Sequence, residues 1–165
     1  MHRRPHAIVS MERATGAATR GLRPADLDAR LRSAAARLGP FGGHVRLYRE
    51  VGSTNDVAAV LADQGAPHGT VVVADAQTAG RGRHAHRWFS PADAGLYVSV
   101  LLRTVSAPVL TLAAGVAVAE ALRAGGGLES TLEWPNDVVV AAPGRVPRKV
   151  AGILAEATTT RGRVE

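Results

Sequence analysis

A chain of 165 residues, 46% hydrophobic and 21% charged, has the length of one globular domain that can bury roughly 70% of its unfolded surface. The absence of cysteine excludes disulfides, zinc-thiolate centres and thiol nucleophiles, and fits a reducing compartment, so a cytoplasmic location is expected. The net charge of +6 is uneven: residues 1 to 37 carry eight Arg against three acids, a surplus of five, which leaves +1 elsewhere and weakens the reading of a nucleic-acid binder.

Residues 1 to 22 mix Arg, Gly, Thr and Ala without an apolar period and are expected to form a disordered, Arg-rich leader to a folded unit over 23 to 165. The leader lacks the apolar segment of a secretory signal. No apolar run is read as approaching the ~20 residues that span a bilayer, so no membrane contact is expected. From Pro24 to Leu38, the residues Leu27, Leu31 and Leu38 recur at helical spacing, with Pro24 suited to the first turn and Gly39-Pro40 to the stop. One helix is too few for a winged helix-turn-helix domain.

Residues 44 to 49 alternate as a strand, and Ser53-Thr54-Asn55-Asp56 opens a helix through Val57, Val60 and Leu61 to Gly65. Val71 to Val73 is a buried-type strand. The polar, glycine-bearing stretch Gln77 to Asp93 follows, and it is long for a connection inside one domain, as functional loops are. Leu96 to Leu102 reads as a strand and Val109 to Leu122 as an Ala-rich helix ended by Gly125-Gly126-Gly127. Thr131 to Val140 and Lys149 to Ala157 read as two arms of a hairpin. Hairpins without regular β-α-β alternation predict an α+β fold on a mixed, largely antiparallel sheet with flanking helices.

Three features carry candidate chemistry. The loop Gln77 to Trp88 joins glycines, which let backbone N–H groups approach an anion, to Arg81, Arg83, Arg87 and Trp88, a set suited to phosphate and an aromatic base. It has neither the Gly-Lys-Ser/Thr ending of a Walker loop nor the spacing of a dinucleotide fingerprint. Trp134-Pro135-Asn136-Asp137 has turn chemistry, since Pro135 holds Trp134 extended. The third feature is Lys149, the one Lys beside nineteen Arg, and its compact ammonium suits a phosphate or carboxylate in a way a guanidinium does not.

Ser53-Thr54-Asn55, Gly80-Arg81-Gly82-Arg83, Trp134-Pro135-Asn136-Asp137 and Lys149-Val150-Ala151-Gly152, in that order, resemble the motifs of the biotin protein ligase family. The likeness runs from about residue 47 to 156 and includes Phe89-Ser90-Pro91, Gly95-Leu96-Tyr97 and Ala114-Gly115-Val116-Ala117-Val118. It implies the biotin/lipoyl ligase fold, which is related to class II aminoacyl-tRNA synthetases. It also implies an ATP-dependent ligase that forms biotinyl-5'-AMP and passes biotin to a lysine of a biotin carboxyl carrier protein. By the same resemblance Ser53, Thr54 and Gln77 would hold the biotin ureido ring, with Gly80 and Arg81 closing the pocket. Arg83 and Lys149 would hold the biotin carboxylate and the α-phosphate of ATP. Trp88 would pack on adenine with Arg87 beside it, and Asn136 and Asp137 would face the phosphates, their Mg²⁺ or the incoming lysine.

The chain departs from the pattern at Glu133, where the family has Lys, and at Ala85 and His86, where it has Gly-Arg. His84 and His86 alone lack a third metal ligand. The resemblance further implies C-terminal strands and a small β-barrel domain that residues up to Glu165 do not include. The competing readings are a lipoate or octanoate transferase of the same superfamily, a nucleic-acid-binding protein using the Arg-rich leader, and a biotin-binding fragment without activity.

Overall fold

The computed structural model describes residues 6–13, 24–103, 107–141 and 144–158. Seven strands form one sheet: β1 (His6–Arg13), β2 (Val45–Val51), β3 (Thr70–Gln77), β4 (Tyr97–Leu102), β5 (Thr131–Glu133), β6 (Asp137–Val140) and β7 (Arg148–Thr158). Their spatial order is β2-β3-β4-β1-β7-β6-β5. Only β2 and β3 run parallel; every other neighbouring pair is antiparallel. The sheet is therefore mixed and largely antiparallel, and the α+β expectation stands.

Among the described residues three α-helices flank it: α1 (Pro24–Leu38), α2 (Thr54–Asp63) and α3 (Ala107–Gly126). The alternation of β4 buries Tyr97, Ser99 and Leu101 on one face. Leu101 and Val72 pack there against Ala58 and Ala62 of α2. A second cluster joins Leu110 and Val118 of α3 to Val138, Ala151 and Ile153 of β6 and β7. Small alanines on α2 let that helix lie close to the sheet, and this proximity matters because its first turn carries part of the site.

The structure corrects three sequence expectations. The leader expected to be disordered contains β1, which runs between β4 and β7 with Ile8 opposite Leu101 on one side and Glu156 on the other. Ala7-Ile8-Val9-Ser10-Met11 is a short apolar run of the kind that fills an interior strand, and such a run has no period to detect. The rest of that leader lies outside the described residues. Residues 131 to 140 are two strands rather than one hairpin arm. Trp134-Pro135-Asn136 is the turn between them, and the Trp134–Pro135 peptide is cis.

The third correction concerns α3. By length and composition alone, Val109–Gly126 is long and apolar enough to cross a bilayer, a test the core helices of many proteins also pass. Here Leu110, Ala114, Val118 and Leu122, spaced four apart, meet the sheet cluster, while Val109, Leu112 and Val116 are exposed. The interior-facing stripe and the exposed apolar residues together extend the run beyond what a reading of the stripe alone registers.

Candidate functional site

The first wall of the site starts where β2 gives way to α2. Ser53 has extended backbone, and its Oγ accepts from Asn55 N–H at 3.3 Å, which caps the helix. Thr54 and Asn55 then point inward, 0% and 2% exposed. Buried polar groups need partners, and these find one another. Thr54 N–H and Oγ1–H donate to Gln77 Oε1 at 2.8 and 3.1 Å. Gln77 Nε2 donates to Ser90 Oγ at 3.1 Å. Ser99 Oγ lies 2.8 Å from Thr54 Oγ1 and 2.6 Å from Asn55 Oδ1, so its single proton is shared between two acceptors.

Gln77 also begins the long loop, whose base is closed by backbone pairing. Gln77 N–H donates to Ser90 O at 2.9 Å, and Trp88 N–H donates to Gly80 O at 2.9 Å. The two limbs come so close at Gly80 that a Cβ there would sit 2.7 Å from Ser90 Oγ and 3.0 Å from both Gln77 Nε2 and Trp88 O. Glycine is demanded by space, not by backbone angle. At the tip, Gly82 N–H donates to His86 O at 2.8 Å across a short turn in which His84 has a φ of 55°.

The second wall is the β5-β6 turn and the start of β7. Asn136 Oδ1 accepts from Arg83 Nη1 at 3.5 Å, a long contact that joins loop to turn. Lys149 Nζ lies 2.7 Å from Asp137 Oδ1 and 4.6 Å from the centroid of the Trp88 ring. Asp137 Oδ1 is shielded from water and has no hydrogen-bond donor aligned on it, so the ammonium meets it as a charge contact. Between the walls lies a cleft of about 590 Å³, lined by Arg83, Arg87, Trp88, Asn136, Asp137 and Lys149 among others. Its size suits a small organic ligand.

Gly152 forms the floor under Lys149. A Cβ there would lie 3.1 Å from Lys149 Cε, 3.2 Å from Nζ and 3.4 Å from Trp88 Cη2. The far end of a lysine moves easily, so Gly152→Ala is expected to leave thermal stability nearly unchanged while displacing the ammonium. A displacement of about 1 Å in a positioned group costs up to ~100-fold in rate. We expect about tenfold slower turnover at this site with a melting temperature equal to that of the parent chain. A drop in stability with unchanged turnover would show that Gly152 serves packing instead.

Of the residues singled out from sequence, Arg83, Arg87, Trp88, Asn136, Asp137 and Lys149 come together in the cleft, with Arg81 also on its edge. Ser53, Thr54, Gln77 and Gly80 gather at the loop base, where Thr54 and Gln77 are buried and bonded to each other. Arg81 turns toward two carboxylates, Asp56 and Glu156. Those carboxylates raise its already high pKa, with Asp56 the larger cause. Sequence reading missed Ser99, Ser90, Asp56 and Glu156 as members of this site. The alternation of β4 was the available signal for Ser99, because it places a hydroxyl among the buried positions. His84 and His86 stack edge to face with centroids 6.4 Å apart. Among the described residues no group of three or more His, Asp or Glu is placed to hold a metal.

The profile of the Biotin/lipoate A/B protein ligase family matches residues 48–165. The bifunctional ligase/repressor BirA of Bacillus spizizenii is 38% identical over 128 residues, 75% of this chain and 38% of that protein. The biotin--[acetyl-CoA-carboxylase] ligase of Mycobacterium tuberculosis is 39% identical over 144 residues, 82% of this chain and 52% of that protein. Among solved structures, the biotin protein ligase from Aquifex aeolicus in complex with biotin and ATP matches with a TM-score of 0.51 and 31% identity, over 74% of this chain and 56% of that one. The chain thus spans between 38% and 56% of the length of these relatives.

Proposed function

Because the chain belongs to the biotin/lipoate A/B protein ligase family, we propose that its cleft activates biotin with ATP and passes it to the lysine of a biotin carboxyl carrier protein. The observation that carries this reading is the gathering of Arg83, Lys149, Asp137 and Trp88 around one cleft. Joining a carboxylate to a phosphate brings two anions to bonding distance, and fixed cations lower that barrier more effectively than water does. Arg83 and Lys149, from opposite walls, are the cations. In the first step the biotin carboxylate oxygen bonds to the α-phosphorus and pyrophosphate leaves. In the second the carrier amine bonds to the biotin carbonyl, loses a proton, and AMP leaves.

Lys149 enters this scheme already bound to Asp137 and resting on Trp88. An arriving phosphate draws the ammonium away from Asp137, and Trp88 is then open to stack on adenine. Asp137 suits Mg²⁺, which commonly takes one or two carboxylates and completes its shell with phosphate and water, and its Oδ1 is released for that role once Lys149 moves to the phosphate. When bound there, Mg²⁺ would neutralise charge on the departing pyrophosphate. Ser53, Thr54, Gln77 and Gly80 are proposed to shape the end of the pocket that receives the ureido ring.

The test is exchange of labelled pyrophosphate into ATP in the presence of Mg²⁺, with biotin, lipoate or octanoate as the acid, and mass detection of the acyl-adenylate. Biotin-dependent exchange with biotinyl-5'-AMP formed is the expected result. Exchange driven by lipoate or octanoate and not by biotin would move the assignment to the other acids of the family.

A further inference from the structure

We infer that Arg81 is a positioning residue, a latch that holds the loop 80–88 against α2 and β7 through Asp56 and Glu156. The inference rests on the biotin-activating reading for its effect on ligand binding, and on geometry alone for its effect on the loop. Arg81 Nε and Nη2 donate to the two oxygens of Glu156 at 3.2 and 3.1 Å, the side-on fork that fixes both position and plane. Nη2 also donates to Asp56 Oδ1 at 2.7 Å. Three of the five guanidinium protons are thereby committed to protein acceptors, which is the pattern of an anchor.

The anchor continues inward. Asn55 Nδ2 donates to Glu156 Oε2 at 2.5 Å, and Asn55 Oδ1 faces Ser99 Oγ, which also faces Thr54 Oγ1. Thr54 binds Gln77 and Gln77 binds Ser90. One polar chain therefore leaves the loop at Arg81, crosses β7, α2, β4 and β3, and re-enters the loop at Ser90. Its ends hold the two limbs of the loop, and its middle is made of the residues proposed to receive the ureido ring. Ligand at Thr54 and Gln77 and order in the loop are thus properties of one network. A lysine cannot reproduce this role, because a single ammonium does not form the side-on pair.

The test uses Glu156→Gln, Arg81→Lys, Arg81→Gln and the double variant Arg81→Gln/Glu156→Gln. In the ligand-free protein, amide hydrogen exchange at residues 80–88 is expected to speed up about tenfold in each single variant, the scale of a charge-assisted bond reduced by its partial exposure. Exchange in β4 and β7 should stay at the parent rate, which excludes general unfolding. The double variant should be no faster than Arg81→Gln alone, since that change already removes the contacts to both Glu156 and Asp56. In pyrophosphate exchange the KM for biotin should rise by a similar factor, with kcat at saturating biotin within about twofold.

If Glu156→Gln leaves both loop exchange and the KM at parent values while Arg81→Gln abolishes biotin binding, Arg81 touches the ligand directly and the latch is overturned. Unchanged loop exchange in all variants overturns it as well. Should the parent chain show no biotin-dependent exchange at all, the functional reading fails, and the loop-exchange arm still decides the latch.

Discussion

Lys149→Ala is expected to slow biotin-dependent pyrophosphate exchange by about 10²–10³-fold, the loss seen when one donor that stabilises a developing charge is removed. The ammonium is the compact cation of the cleft, held 2.7 Å from Asp137 Oδ1, and no other lysine exists in the chain to replace it. Equilibrium binding of biotin should weaken only modestly, because the ureido end is proposed to sit at Ser53, Thr54 and Gln77, away from Lys149. Stability should fall by about 1 kcal/mol, since the pair is partly open to solvent and its charges are screened. Lys149→Arg should recover part of the rate, limited by the planar fork of a guanidinium. Near-normal exchange by the Ala variant, measured beside biotin binding, would remove Lys149 from the chemistry.

The second large effect is expected from Gly80→Ala. The added methyl would meet Ser90 Oγ, Gln77 Nε2 and the Trp88 carbonyl at 3.0 Å or less, and two of these form the side-chain bond that spans the loop base. Overpacking costs about 1–3 kcal/mol, and separating Gln77 from Ser90 leaves buried polar atoms short of partners for ~1–3 kcal/mol more. For a chain of this size a loss of that order lowers the melting temperature by roughly 5–15 °C. Biotin binding should fall with it, because Gln77 also positions Thr54. Gly43→Ala is the control, having nothing within 4 Å of the added atom, and should melt with the parent. Equal melting of the two variants would show that the loop limbs can separate at no cost.

The parts of this fold that rest on local pattern were legible in the sequence. The helix from Pro24 to Leu38 has the predicted bounds, since proline at its start and Gly-Pro at its end act within a turn or two. Ser53 was legible as a cap for the same reason. β1 was not, because a run of four or five apolar residues between arginines has no period, and its partners lie in β4 and β7, far along the chain. The polar network was hidden for a related reason. Asn55 meets Glu156 across 101 positions and Arg81 meets it across 75, and a polar residue in a strand looks solvent-facing until the opposite element is known. Motif order brought Arg83, Asn136, Asp137 and Lys149 into one site without geometry. What it could not tell was that Arg81, one residue from Gly80, turns toward two acids at the edge of the cleft.

The position of β1 has a mechanical consequence. Strands β2 to β4, with α2, carry the Arg-rich loop, and strands β5 to β7 carry the turn with Asn136 and Lys149. β1 separates these half-sheets by two strand spacings, about 10 Å, so it acts as the gauge that sets how far apart the two jaws of the cleft stand. The distance between Arg83 and Lys149 therefore depends on a strand far from both in sequence. Anything that pulled β1 from its slot would change the bite of the site.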